Sequence, residues 1–396
     1  MASLQEVINH TPYWKDFLPV ASHKIISLIQ ACHTARLGYH HLQCTNEQCN
    51  HSYYQYHSCG NRHCPACGSG KAREWMQQRM GELLPVKYFH VVLTLPFELR
   101  TLVALNRRRL FKTLFDAAAY CLLKLSSDPQ WIGATPSITA VLHTWGQQLE
   151  FHPHIHAIVS GGGADRQHNW VEAKKGKGNY LFAYQVMEPM FKKSFLGKTQ
   201  KLIDKGLLKL PRAMHWDSLY KQMLDTQWIV YAKPPFGSPA QVVEYLGRYT
   251  HKSAISNHRI KKVDNGQVTF TWKDYRNGGV YKTAVMPSEK FLQRFAQHIL
   301  PKGFVRIRHY GLLGNNKRHQ TINAILQKMG MPQHPPPVQL PREIELLSLY
   351  GRSGNYCPVC NSPEPMLVFT TRRSVRAPPD PVLLKNRKSP FSAPNV

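Results

Sequence analysis

Six of the nine cysteines fall between residues 32 and 67, interleaved with His40, His41, His51, His57 and His63, and no other stretch of the 396 residues restricts the fold so tightly. The spacing is Cys44-x4-Cys49, fourteen residues, then Cys64-Pro-Ala-Cys67. Two close pairs joined by a short loop can place four thiolates around Zn²⁺, an ion that tolerates sulfur and has no redox chemistry. The expectation is a closed structural zinc site held by Cys44, Cys49, Cys64 and Cys67, with Cys59, His57 and His63 as further ligand candidates. A second pair, Cys357-Pro-Val-Cys360, is half a site on its own. It is open to completion as a second zinc centre by the island or another subunit, or to a role as a reducible pair. Lys71 and Arg73, with Arg36, Arg79 and the tyrosines Tyr53, Tyr54 and Tyr56, add the basic and aromatic mix that binds a DNA backbone and stacked bases.

Charge narrows the partner. The chain carries 51 Lys+Arg against 23 Asp+Glu, a formal +28 with 21 His uncounted. Such a surplus on a folded protein favours a polyanion, either nucleic acid or an anionic membrane surface. Apolar residues make up 42% and aromatic residues 11%, ample for real cores, and the length suggests two or three domains. No run approaches the 18 apolar residues of a spanning helix. The first residues, Met-Ala-Ser-Leu-Gln-Glu, have no basic segment followed by an apolar one, so a cytoplasmic, reducing location is expected.

Patterning along the chain predicts a strand over 86–95, a helix over 98–125, and strands over 137–148 and 154–160 joined by a turn containing Pro153. Helices are expected over 184–205 and 239–249, flanking a strand over 228–232. Asp264-Asn265-Gly266 marks a hairpin between 256–262 and 267–273, because Asn-Gly supplies the positive φ angles of a tight turn. A helix over 288–300 follows. The mixture predicts an α+β fold with a central antiparallel sheet flanked by helices, plus a small Cys-rich module. The expected division is a zinc-binding DNA-recognition module (1–80), a catalytic domain (81–310), a helical region with the second cysteine pair (311–371) and a disordered basic tail (372–396). There is no internal repeat.

His152-Pro-His154-Ile-His156 is the most informative stretch for chemistry. On a strand His154 and His156 share one face and can hold one ion between them. On the preceding strand His143, Trp145 and Gln147 also share a face, which offers Gln147 as a third, oxygen ligand. A mixed nitrogen and oxygen site suits Mn²⁺ or Mg²⁺ acting as a Lewis acid on phosphate. In Tyr245-Leu-Gly-Arg-Tyr249 a helix would align both phenols about one turn apart. Arg248, Lys252 and Arg259 lie nearby, and a phenol with an ordinary pKa near 10 becomes a competent nucleophile only where cations stabilise the phenolate.

Taken together, these segments resemble the two-tyrosine HUH transposases of bacterial insertion sequences that move by rolling-circle transposition. The resemblance rests on Asn61-Arg62-His63-Cys64-Pro65-x-Cys67, on His143-Thr-Trp-Gly-Gln147 leading to His152-Pro-His154-Ile-His156, and on Tyr245-Leu-Gly-Arg-Tyr249-Thr-His-Lys252. It continues through Ile255-Ser-Asn-His-Arg259, Trp272-Lys-Asp-Tyr275 and Arg306-Ile-Arg-His-Tyr-Gly311, so it spans most of the chain. It implies a single-strand DNA endonuclease and strand transferase with His154 and His156 as metal ligands and Tyr245 and Tyr249 as nucleophiles, working through a 5′-phosphotyrosine. It also implies a bacterial, nucleoid-associated protein whose partners are single-stranded insertion-sequence ends, target DNA and host replication or helicase factors. Arg62, Lys71, Arg73, Arg248, Lys252 and Arg259 are the expected DNA contacts.

A nucleotide motor is excluded by pattern: Gly197-Lys198-Thr199 has Lys192 where the first P-loop glycine belongs, and Gly68-Ser-Gly-Lys71 has Pro65 there and Ala72 where Ser or Thr belongs. Two readings compete with the transposase. One is a rolling-circle replication initiator or relaxase-like nicking enzyme with the same chemistry. The other is a non-catalytic zinc-ribbon DNA-binding protein in which the histidines and tyrosines only pack.

Overall fold

The computed structural model describes residues 2–67, 79, 81–174, 181–232, 236, 241, 242, 245, 247, 253–314, 316–335, 356–362 and 366–372. Its strands, in chain order, are β1 (Gly38–Gln43), β2 (Ser52–Tyr56), β3 (Tyr88–Thr94), β4 (Ser137–Trp145), β5 (Phe151–Ser160), β6 (Gly162–Ala164), β7 (Trp170–Glu172), β8 (Val230–Ala232), β9 (Ile260–Asp264), β10 (Gln267–Asp274), β11 (Val280–Pro287), β12 (Ile307–Gly311) and β13 (Leu367–Arg372). The fold is α+β, with antiparallel sheets and flanking helices.

The central sheet has the order β12-β4-β5-β3-β8, antiparallel throughout. Strand alternation divides its residues between two faces. Val91, Leu93, Ala140, Leu142, Ile155, Ala157 and Val159 belong to the largest core, together with the helices Arg107–Ser127 and Tyr184–Asp204. Helix Arg107–Ser127 supplies that core from Leu110, Phe111, Leu114, Phe115, Ala118, Cys121, Leu122 and Leu125, the i, i+3, i+4 stripe of an amphipathic helix. Burying each of its large apolar side chains stabilises the fold by about 1.5–3 kcal/mol. The opposite face carries His90, His143, His154 and His156, so a helix-backed sheet presents a row of imidazoles.

Two local expectations change. The helix expected over 98–125 is split at Asn106 into Arg100–Leu105 and Arg107–Ser127. There the Asn106 side chain pairs with the Lys209 backbone, donating through Nδ2 to its carbonyl at 2.8 Å and accepting its N–H through Oδ1 at 2.8 Å. Pro153 does not lie in a turn. The bend occupies residues 146–150, and β5 runs straight through Pro153, whose carbonyl accepts the Leu95 N–H at 3.2 Å. The proline is accommodated beside the register irregularity between His143 and Trp145, where the ladder has a gap for its missing donor.

The Asn265-Gly266 hairpin forms as the sequence predicts. Both residues take positive φ, 46° and 70°, and β9-β10-β11 make a three-stranded sheet. Its inner residues Ile260, Val268 and Phe270 join Phe291, Leu292 and Phe295 of helix Ser288–Ala296. Leu4, Val7 and Ile8 of helix Leu4–Asn9 and Ile26 and Ile29 of helix Val20–Gln30 complete this second core. It therefore draws on both sides of the boundary expected at residue 80.

A third sheet, β13-β1-β2, joins the two ends of the described chain. Alternation puts Tyr39, His41, Tyr54, Tyr56 and Phe369 on one face, with Tyr54, Tyr56 and Phe369 exposed and His41 stacked on Tyr54. Leu42 and Tyr53 turn to the other face, against Cys44, Cys357 and Met366. The tail expected over 372–396 is ordered at its first residue, Arg372, which closes β13; residues 373–396 lie outside the described residues.

Candidate metal centre and catalytic tyrosine

β4 and β5 bring three imidazoles together. The ligand atoms of His143, His154 and His156 all lie within 4.8 Å of one another. His154 Nδ1–H donates to the His152 carbonyl at 2.6 Å, which fixes the tautomer and leaves Nε2 as a lone pair facing His156 Nε2 at 3.0 Å. Burial pushes His154 down to about 4, with the Arg100 charge adding to the effect, so the ring is neutral, the form that ligates metal. Two metal–nitrogen bonds of about 2.1 Å at right angles span about 3.0 Å. The donor set thus fits one divalent cation.

Gln147 has other partners. β4 ends at Trp145 and the chain then bends, so the alternation that was to carry Gln147 onto the histidine face stops two residues early. Its Oε1 accepts the Lys273 N–H at 3.3 Å, its carbonyl accepts Arg259 Nη2–H, and it lines a polar cleft of about 480 Å³ with Glu150, Trp272 and Tyr275. His143 is the third imidazole of the group, its ring stacked on Trp145 at 4.5 Å. His152, on β5 with His154 and His156, accepts a hydrogen bond at Nδ1 from Arg100 Nη2–H.

Tyr245 stands beside the cluster. Its hydroxyl lies 3.1 Å from His90 Nδ1 and 3.0 Å from His90 Nε2, and His90 Nε2 lies 2.8 Å from His156 Nδ1 with the two rings stacked at 5.0 Å. The Tyr245 ring packs with Phe236 near Tyr88, Ile158 and Val242, which hold the ring against the histidine face. Tyr249, Arg248, Lys252, Lys71 and Arg73 lie outside the described residues. His90 was missed by sequence reading: only the pairing of β3 with β5, a non-local fact, brings it beside His156.

The cysteines assemble differently from the expected set. Cys64 and Cys67 join Cys32 and Cys59, whereas Cys44 and Cys49 join Cys357 and Cys360. In the first group Sγ–Sγ distances are 3.4 Å for Cys32–Cys67, 3.6 Å for Cys59–Cys67 and 3.7 Å for Cys32–Cys64. Thiolates at the corners of a tetrahedron with 2.3 Å bonds stand about 3.8 Å apart, so four sulfurs at these spacings fit Zn²⁺. The expected quartet fails because β1 and β2, paired from Tyr39–Tyr56 to Gln43–Ser52, carry Cys44 and Cys49 to the end of the sheet away from the Cys59–Cys67 loop.

Two of the expected DNA contacts are engaged inside the fold. Arg62 Nη1–H donates to the Phe304 carbonyl at 2.8 Å, and Arg259 Nε–H donates to the Thr271 carbonyl at 2.8 Å as well as binding Gln147. Burial lowers the pKa of both guanidiniums, and both remain cationic.

Comparison with known proteins bears on this geometry. A family model described as "Putative transposase" matches residues 137–320, and one described as "Transposase zinc-binding domain" matches residues 5–95. The "Putative transposase y4qJ" of Sinorhizobium fredii is 38% identical over 373 residues, covering 91% of this chain and 92% of the relative. The chain belongs to the IS91-type transposases. The transposase is also 29% identical over 314 residues to the "Transposase for insertion sequence element IS801" of Pseudomonas savastanoi, covering 77% of this chain and 73% of that one. No solved structure matches it. The zinc-binding match contains Cys32, Cys59, Cys64 and Cys67, and the other match contains the three clustered histidines and both tyrosines. Cys357 and Cys360 lie beyond both. A transposase acts on DNA, a polyanion that matches the positive charge of the chain; among the described residues no helix is long and apolar enough to cross a membrane.

Proposed function

We propose that this transposase cuts and rejoins single-stranded DNA at insertion-sequence ends through a covalent 5′-phosphotyrosine, with Tyr245 and Tyr249 as nucleophiles, in a rolling-circle type of transposition. One observation carries the reading: the Tyr245 hydroxyl sits within 3.1 Å of His90, whose ring touches the metal-ligand candidate His156. His143, His154 and His156 would hold the divalent ion, and three nitrogen donors favour Mn²⁺ over Mg²⁺. When bound, such an ion acts as a Lewis acid on the scissile phosphate.

The chain's own groups then do the following. The sheet fixes the imidazoles, and the packing around Phe236 and Val242 holds the Tyr245 phenol over them. The phenol oxygen forms a bond to phosphorus, the bond from phosphorus to the 3′-oxygen breaks, and the phenolic proton is balanced by the proton gained at the released 3′-hydroxyl. One phosphodiester replaces another, so no nucleotide hydrolysis is required, in keeping with the absence of a P-loop sequence. Tyr249, four residues on in sequence, gives a second strand its own attachment point.

The test is incubation of labelled single-stranded terminal DNA with the protein and Mn²⁺, followed by denaturing electrophoresis. A covalent adduct is expected, lost when Tyr245 and Tyr249 are both changed to Phe while DNA binding persists. An adduct surviving in the double variant would overturn the assignment of the nucleophiles.

A further inference from the structure

We propose that Cys44, Cys49, Cys357 and Cys360 form a second zinc centre, separate from Cys32, Cys59, Cys64 and Cys67, which fastens the C-terminal segment to the N-terminal module.

Three observations support it. The Sγ atoms of the four residues lie within 4.8 Å of one another, with 3.6 Å between Cys44 and Cys360 and 3.7 Å between Cys49 and Cys357. These are the separations of a tetrahedral tetrathiolate site with bonds of about 2.3 Å. All four are free thiols, so no disulfide explains their approach. The backbone around them is built for ligation: Cys49 N–H bonds the Asn46 carbonyl and Asn361 N–H bonds the Cys357 carbonyl, so each close pair brackets a tight turn. The two turns face each other because β13 pairs with β1 from Gly38–Arg372 to Gln43–Leu367. Leu42, Met366 and Tyr53 pack beside the sulfurs and limit solvent around them, while Cys44 and Cys357 are buried.

Four sulfurs at this spacing are costly without a cation, since thiolates repel and thiols are weak hydrogen-bond donors. Four protein ligands leave no open position, which makes the centre structural rather than catalytic. Its effect is topological. The pairs come from opposite ends of the described chain, so a single ion closes the loop between them and holds β13 on the edge of β1.

Native mass spectrometry of the full chain tests the proposal, using the His154→Ala/His156→Ala background so that imidazoles do not contribute an ion. Two zinc ions per chain are expected, falling to one in Cys357→Ser/Cys360→Ser. One ion or none in the parent background, or two retained after the cysteine change, would overturn the proposal. Should the cysteine variant fail to fold, the count in the parent background still decides. Limited proteolysis of the parent gives a second readout: chelation should expose cleavage around residues 356–372, and unchanged protection after complete zinc removal would also overturn it.

Discussion

Gly38 lies so close to Thr371 that a β-carbon at position 38 would stand 2.3 Å from the Thr371 carbonyl oxygen. Gly38 also has φ of 88° and ψ of −180°, a backbone region that only glycine enters readily. Gly38→Ala is therefore expected to loosen β13 from β1, with about 1–3 kcal/mol from backbone strain alone. Faster hydrogen exchange in residues 367–372, with the central sheet unaffected, would show it; unchanged exchange would contradict it.

The assignment of the third metal-ligand candidate separates two neighbouring residues. His143→Ala should weaken Mn²⁺ binding by about tenfold or more, since even outer partners of a metal site are worth about that much. Gln147→Ala should leave it within about twofold, because that side chain faces Lys273. Titration calorimetry with Mn²⁺ measures both, and the reverse order would return the position to Gln147.

His298 makes an acid-sensitive support for the sheet. It is buried, donates its Nε2–H to the Leu149 carbonyl at 3.1 Å, and accepts the Thr144 Oγ1–H at Nδ1 at 3.2 Å. Burial, aided by the Arg107 charge, pushes it down to about 3. A histidine depressed in the folded state takes up its proton on unfolding, so stability falls as pH drops from about 6.5 toward 3 and is insensitive to this group above that window. Near pH 5 its share of the slope is about 1.4 kcal/mol per pH unit. Urea unfolding of the parent and of His298→Gln between pH 7 and 5 should show a shallower dependence in the variant, and equal slopes would refute the role.

The exposed aromatic face of β13-β1-β2 should contribute to DNA affinity. Tyr54 and Tyr56 are 40% and 41% exposed beside Tyr39 and His41 on a face formed by alternating residues. Stacking an unpaired base on such a ring is worth about 1–3 kcal/mol by alanine substitution. Tyr54→Ala and Tyr56→Ala should each weaken single-strand binding by that amount at fixed salt, with little change in melting temperature. Fluorescence anisotropy with a short oligonucleotide checks it, and unaltered affinity in both variants would remove the face from the DNA interface.

What the sequence made legible was local. Asn265-Gly266 announced its turn, and the alternation of His154 and His156 put both rings on one face, because each depends on neighbouring dihedral angles alone. The cysteine quartets were not legible, because Cys44 meets Cys360 through the pairing of β1 with β13, and spacing along the chain carries no record of that pairing. The contact of Gln147 with Lys273 was hidden for a related reason: alternation holds only while the strand continues, and β4 stops at Trp145. His90 was invisible until β3 was set against β5.

The pairing of β1 with β13 also orders events in time. His40 and Thr370, joined by a hydrogen bond across these strands, are 330 residues apart. At about 5–20 residues per second, β1 waits on the order of 15–60 s after leaving the ribosome before its neighbour exists. Throughout that interval one edge of the first sheet is unpaired, open to any other extended chain. A copy of the gene whose reading frame is cut before β13 leaves that edge open permanently, so the last described strand bears on the fate of the first sheet the ribosome produces.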